Sequence, residues 1–384
     1  MPDRPSLRIG IEEEYLIIDQ ESLDLVPEPE PGFMEECQKL SDRRTSNEYL
    51  RCQIEVGTRP HARVTDAGAE LAELRSLVSS TAGRFGYRVI AASTHPFARR
   101  SEQTHTDKDR YIALSRELGL SARRLLICGM HTHLEVEDPD LRIDLMNQAA
   151  YFLPHILALS CSSPYWEGED TMLSSYRLAV FDSLPRTGLP DTLNSHAGFI
   201  RLVDHLVESG SLEDGTKIWW DIRPSVKFPT MEQRVTDVCS HWRDAVAITA
   251  TFQAIVAFLY RLRSLNQRWR HYPSILINEN RWRAQRYGTD EPLIDHGKTK
   301  LVPFAELMQE LVLLVRDDAA ELGSEEELAW TAEIVRRGNS TTRQRQRFAA
   351  AVASGATEFE AFREVVSMLA EDFLAGIPSS RPGS

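Results

Sequence analysis

Ile9–Asp19 reads IGIEEEYLIID, with β-branched and aromatic residues on both sides of three consecutive glutamates. That composition predicts an opening strand over residues 7–18. Side chains alternate across a strand, so Glu12 and Glu14 share one face and Glu13 points to the other. Two carboxylates roughly 7 Å apart on one face can each hold a different hard cation, or bracket a shared pair. A solvated edge strand is the plain alternative, but Ile9, Ile11, Leu16 and Ile18 flank the cluster and imply a buried sheet. Adjacent carboxylates in such a sheet repel one another unless cations compensate. The stretch is therefore read as a metal-bearing strand, with Glu13 on the opposite face as the internal control, whose replacement by glutamine should impair the site less than that of its neighbours.

Three further segments offer matching chemistry. Residues 47–56 predict a second strand, ended by the turn residues GTRP at 57–60. Glu48 and Glu55 need not share a face of one regular strand, so a bulge or a turn has to bring them together. Residues 125–136 alternate like a strand through GMHTHLEV, which sets His131 and His133 on one face at a spacing used in metal sites. A histidine pair satisfied within the core is the commoner use of that spacing. TMEQRVTD, residues 230–237, pairs Glu232 with Arg234 on one strand face. A guanidinium's planar donors match phosphate oxygens; an in-sheet salt bridge is the alternative. Segments 162–177, 219–225, 280–288 and 338–344 are rich in Arg, Trp, Tyr or Ser/Thr and are predicted as ligand-holding loops. The chain has no GxxxxGK[ST] and no well-placed GxGxxG, so a nucleotide has to be held through metal and arginine.

Between these segments the periodicity predicts a helix capped at Thr65, with Leu71, Leu74 and Val78 on one face. It also predicts a strand at 88–93, helices at 109–118, 143–160 and 195–209, a turn-rich loop at 162–190, and strands at 217–222 and 230–235. Helical periodicity dominates after residue 241, apart from a loop around 278–298. Strands first and helices afterwards imply an α+β fold with a largely antiparallel sheet. Residues 1–377 read as one catalytic domain and 378–384 as a disordered Pro/Ser/Gly-rich tail. A formal net charge of −13 argues against nucleic acid or an anionic membrane as partner. Five scattered cysteines fit free thiols in a reducing cytosol. The N-terminus carries no apolar signal segment, and residues 245–260 are too short to span a bilayer. A cytoplasmic location is expected.

Taken in order, IGIEEEYLIID, EVGTRP, GMHTH, LALSCSSPYWEG, SYR, WWDIRPS, EQRVTD and NRWRAQRYG resemble the type 2 glutamate–cysteine ligase family, the carboxylate–amine ligases, within the glutamine synthetase superfamily. The motifs run from about residue 8 to residue 347, nearly the whole chain. The resemblance implies a glutamine synthetase-like, curved antiparallel sheet funnel flanked by helices, with metals at its waist and ATP and amino acid entering from opposite sides. It implies Glu12, Glu14, Glu48, Glu55, His131 and Glu232 as ligands for Mg²⁺ (or Mn²⁺). Arg234 resembles the arginine that steadies the phosphoryl group, with Glu55 and Arg177 expected to share in catalysis. Arg223, Arg281, Arg343 and His131 are expected to contact the nucleotide, and the assembly is expected to be a homodimer. The chain departs from the family pattern at Gln233, a position commonly aliphatic, and at His133 and residues 135–138, which replace a smaller or apolar continuation.

The activity this implies is ATP-dependent joining of a carboxylate, glutamate's, to an amine through an acyl phosphate. Alternatives are a phosphotransferase to a guanidino compound, a non-catalytic amino-acid or metal binder, and a zinc hydrolase built on His131 and His133.

Overall fold

The computed structural model describes residues 4–107, 118–119 and 124–377. The helix expected over 109–118 lies outside them apart from Leu118, and so does the tail 378–384. Ile9–Asp19 forms β1. One edge of β1 pairs with β3 (Gln53–Gly57); the other pairs first with β5 (Met130–Glu135) and then with β4 (Tyr87–Ile90). β2 (Thr45–Asn47) extends the sheet beyond β3, while β7 (Thr230–Gln233) and then β6 (Ile222–Pro224) extend it beyond β5. These pairings are all antiparallel, and among the described residues the sheet has seven strands. Helices dominate from Trp242 onward, so the expected α+β organisation holds.

Alternation along β1 gives the sheet two unlike faces. Ile9, Ile11, Glu13 and Tyr15 are buried on one; Gly10, Glu12 and Glu14 line the more open other. The buried face packs on the helices Val64–Arg84 and Trp242–Ser264. Gln253 Nε2 donates to Leu7 O at 2.9 Å, and the Thr132 and Thr249 hydroxyls meet at 3.3 Å. The Trp242–Ser264 helix has 23 residues, longer than the segment expected, and is long and apolar enough to cross a membrane. Its most apolar window is 83% buried inside the protein, so here it is a core helix.

Glu13 points to the opposite face, as alternation predicted, and there it serves the fold. Its fully buried carboxylate accepts from Arg75 Nε at 2.9 Å, Arg75 Nη2 at 2.7 Å and the Tyr15 hydroxyl at 2.5 Å. Arg75 comes from the Val64–Arg84 helix, a partner that the local sequence around Glu13 does not reveal.

Several local expectations are corrected. Residues 47–56 are not one strand: β2 stops at Asn47, the chain turns, and β3 starts at Gln53. The Val64–Arg84 helix has Arg63, not Thr65, at its N-cap. The long loop after residue 162 contains a helix, Tyr176–Phe181, and a small hairpin, Tyr165–Trp166 with Glu169–Asp170. Segments 280–288 and 338–344 are mostly helical, in Ser274–Tyr287 and Ser340–Ala353. The first buries Ile277, Asn280, Arg281, Ala284 and Gln285 on one face; polar members of that stripe disguised its helical period. Asn339 caps the second by accepting from Thr342 N at 3.0 Å. All five cysteines are buried and free.

Candidate active site

The open face of the sheet gathers two triads of metal-capable donors. One atom each from Glu12, His131 and Glu232 lie within 4.8 Å of one another, as do atoms from Glu14, Glu48 and Glu55. Register explains both. Glu12 stands opposite His131 across β1 and β5, and Glu232 opposite His133 across β7 and β5. Glu14 stands opposite Glu55 across β1 and β3. Glu48 arrives because the chain doubles back between β2 and β3, the turn that its spacing required.

The two triads differ in charge. Glu232 accepts from Arg223 Nε at 2.9 Å and Nη2 at 3.1 Å, and also from Arg234 Nη1. The in-sheet salt bridge is therefore real, and its carboxylate still faces Glu12 and His131. Burial works against ionisation of Glu232, but Arg234 and Arg223 hold it far below the carboxylate range. Glu12 is likewise opposed by burial and held low by His131 and His133, whose ring nitrogens lie 3.4 Å from its oxygens. Burial and Arg234 press His131 down to about 4, so its ring is neutral at pH 7. In the second triad burial raises Glu14 to about 7 against the pull of Arg177, with Glu55 adding repulsion. Burial, Glu14 and Glu55 push Glu48 well above the usual range.

Two cavities are lined by members of these triads. One, of about 480 Å³, is lined by Arg8, Gly10, Glu12, Glu55, His133 and Phe228 among others. The other, of about 170 Å³, is lined by Glu14, Glu48, His131, Arg177, Trp219 and Arg234 among others. His131 Nε2, Arg177 Nε and Arg234 Nε, on residues lining that second cavity, are buried with no hydrogen-bond partner among the described residues. Buried polar atoms are normally satisfied, so these fit a ligand or ion. The donor chemistry fits a hard divalent cation: oxygen-rich, with one imidazole and no thiolate. A half-buried triad of carboxylates, with Glu14 and Glu48 raised in proton affinity, is a site that such a cation would stabilise.

Not every expected residue arrives here. Arg281 is held by Asp182 (Nη1 at 2.7 Å, Nη2 at 2.8 Å) and Asp221 (Nε at 2.5 Å, Nη2 at 3.0 Å), so its donors are occupied by two carboxylates. Arg343 is paired with Asp372. Neither lines either cavity. Arg223 sits beside the first triad, but it also donates to Thr216 O and Ile218 O, so it orients Glu232 rather than reaching outward. Gln233 faces away from the triads, buried and bonded to Thr236 Oγ1 at 3.1 Å. Reading the motifs missed Gly129, whose N–H donates to Glu14 Oε2 at 2.7 Å. It also missed Asp237, which accepts from Ser162 N, Ser163 Oγ and Ser175 Oγ at 2.7–2.8 Å. Asp237 closes the TMEQRVTD motif; its position there was the available signal. His133, the second histidine of the pair and a departure from the family pattern, flanks Glu12.

The sequence profile of glutamate–cysteine ligase family 2 (GCS2) matches residues 8–365. A protein of Rhodospirillum rubrum named "Putative glutamate--cysteine ligase 2" is 48% identical over 99% of both chains. One of the same name from Ruegeria pomeroyi is 52% identical over 96% of this chain and 95% of its own. A glutamate–cysteine ligase of Francisella tularensis, solved with AMP, shares the fold with a TM-score of 0.65 at 13% identity, over 97% of this chain and 90% of that one. A bifunctional glutathione synthetase from Pasteurella multocida superposes with a TM-score of 0.67 at 14% identity, over 95% of this chain; the match spans about half of that protein (52%). With its antiparallel sheet, its two triads of metal-capable donors and this match across nearly its whole length, the chain belongs to glutamate–cysteine ligase family 2, as an ATP-dependent carboxylate–amine ligase.

Proposed function

We propose that the open face of the sheet joins the side-chain carboxylate of glutamate to an amine, forming a γ-glutamyl amide through an acyl phosphate while ATP is converted to ADP. The observation that carries this reading is the pair of donor triads joined through Glu12 and Glu14 of β1, with Arg177 and Arg234 beside them and two cavities that their members line. A carboxylate does not condense with an amine at neutral pH because an oxide ion is not a leaving group. In the first step a carboxylate oxygen bonds to the γ-phosphorus of ATP as the bond to ADP breaks. The amine nitrogen then attacks the carbonyl carbon, phosphate departs with the donor oxygen, and the nitrogen gives up a proton.

Such chemistry needs alignment and charge neutralisation more than covalent help from the protein. Mg²⁺, or Mn²⁺, held by Glu12, His131 and Glu232 and by Glu14, Glu48 and Glu55, would supply Lewis-acid neutralisation. Arg234, anchored on Glu232, is assigned to the charge on the transferring phosphoryl group. Arg177, buried beside Glu14, is assigned to aligning a phosphate or carboxylate. Glu55 lines the larger cavity and is assigned the amine's proton. The triads and these arginines come from one chain, and a homodimer is the expected assembly. That assembly and a cytoplasmic location complete the reading, and light scattering tests the first.

The decisive measurement uses glutamate labelled with ¹⁸O in its side-chain carboxylate, after a screen of amines by ADP release and product mass. One label should pass into inorganic phosphate per amide formed. Label in AMP with release of pyrophosphate, or unlabelled phosphate, would show that another route is used.

A further inference from the structure

Gly129 sits where β4 and β5 part company along the edge of β1. It accepts a backbone hydrogen bond from Glu14 N at 3.1 Å, and its own N–H goes to the Glu14 side chain at 2.7 Å. Its backbone also bridges to that of Asp237. It is not among the glycines with positive φ, so its backbone conformation does not demand glycine. Space does. A Cβ built there would lie 2.4 Å from Arg177 Nη2, 2.9 Å from Cζ and 3.1 Å from Nε. Non-bonded heavy atoms settle near 3.5 Å or beyond, so no side chain can coexist with this guanidinium.

We propose that Gly129 is a positioning residue for the ligase reaction: the absence of a side chain lets the Arg177 guanidinium lie against the backbone, and its N–H aims Glu14 in the same place. The inference rests on the role assigned above to Arg177. The guanidinium is held in this slot by two 3.3 Å contacts to Arg234 O and by the Phe181 ring, 5.4 Å from Cζ. A methyl group at position 129 therefore displaces the end of a side chain and leaves the strand pairing of β5 intact. The guanidinium has to retreat by about 1 Å, a misplacement that can lower a rate by about 100-fold.

The test is a cycle of Gly129→Ala, Arg177→Gln and the double variant, read by kcat and KM and by the urea unfolding midpoint. Gly129→Ala should lower kcat by about 100-fold, with a much smaller change in the KM for ATP. In the Arg177→Gln background the same change should alter kcat less than about threefold, because the guanidinium it displaces is gone. The unfolding midpoint should fall with Gly129→Ala in the wild-type background and hold or rise in the Arg177→Gln background. Normal kcat in Gly129→Ala, or equal losses in both backgrounds, overturns the inference. If the wild-type enzyme releases no ADP with any amine, the proposed function fails instead. The unfolding cycle then still decides whether Gly129 makes room for Arg177, and equal midpoint losses in both backgrounds refute that.

Discussion

Replacing Glu13 by glutamine leaves the Arg75 guanidinium charged in a site where neither partner is exposed to solvent (0% each). Arginine does not shed its proton in proteins. Its remaining neighbours are the carbonyls of Cys239 at 2.8 Å and Ser240 at 3.0 Å, with the rings of Tyr15 and Phe373 at 5.4 and 5.1 Å. Carbonyls and rings solvate a cation but do not neutralise it. Breaking a buried pair by removing one charge costs about 3–5 kcal/mol, a large part of the roughly 5–15 kcal/mol that holds a domain folded. The assay is equilibrium urea unfolding at neutral pH, followed by tryptophan fluorescence. The single variant should lose about 3–5 kcal/mol, while Glu13→Gln combined with Arg75→Met should recover most of it because both charges leave together. A loss below about 1 kcal/mol, the size of an average substitution, would refute the reasoning.

Glu48→Gln should stabilise the protein in chelator, because it relieves repulsion in a half-buried carboxylate triad, and should abolish ATP turnover. Mg²⁺ at about 100 times its Kd should add about 2.7 kcal/mol to the wild type and far less to the variant; an equal gain in both removes Glu48 from the ligand set. Arg234→Lys keeps the charge but loses the planar fork, so kcat should fall about 10³-fold; a rise confined to the KM for ATP would make Arg234 a ground-state binder. His95 is buried, with Nε2 donating to Leu23 O at 3.0 Å and Nδ1 accepting from Ala98 N at 3.0 Å, and burial lowers it to about 3. Its folded pKa lies below the unfolded value, so the unfolded chain takes up the proton first and stability falls as pH drops below about 6.5. Between pH 6.5 and 5.5 the loss should be about 1 kcal/mol smaller in His95→Gln than in wild type; identical pH slopes would show that His95 titrates normally in the folded state.

The metal-bearing character of β1 was legible because strand alternation is local: two residues of spacing put Glu12 and Glu14 on one face whatever the rest of the chain does. Glu232 and Arg234 obey the same rule across the end of β7. Glu48 beside Glu55 was legible only conditionally, since the turn between β2 and β3 had to supply what strand periodicity could not. Helical segments 280–288 and 338–344 passed for loops because buried polar residues (Asn280, Arg281, Gln285, Gln344) stand where apolar ones would mark the period.

Residue type, spacing and order along the chain were enough to determine the α+β class, the carboxylate-rich face and the family to which the chain belongs. Tertiary structure alone decided which charged groups are engaged and which remain available. Arg75 lies 62 residues from Glu13, Asp182 lies 99 residues from Arg281, and Asp372 lies 29 residues from Arg343. Sequence read Arg281 and Arg343 by their type and could place Glu13 only on a face, yet the chain folds each into a buried or partly buried pair. It leaves Arg177 and Arg234 beside the triads, each with a guanidinium nitrogen that no described residue satisfies. Periodicity is fixed by the backbone's own geometry, whereas the partner of a charge is fixed by which distant segments pack together.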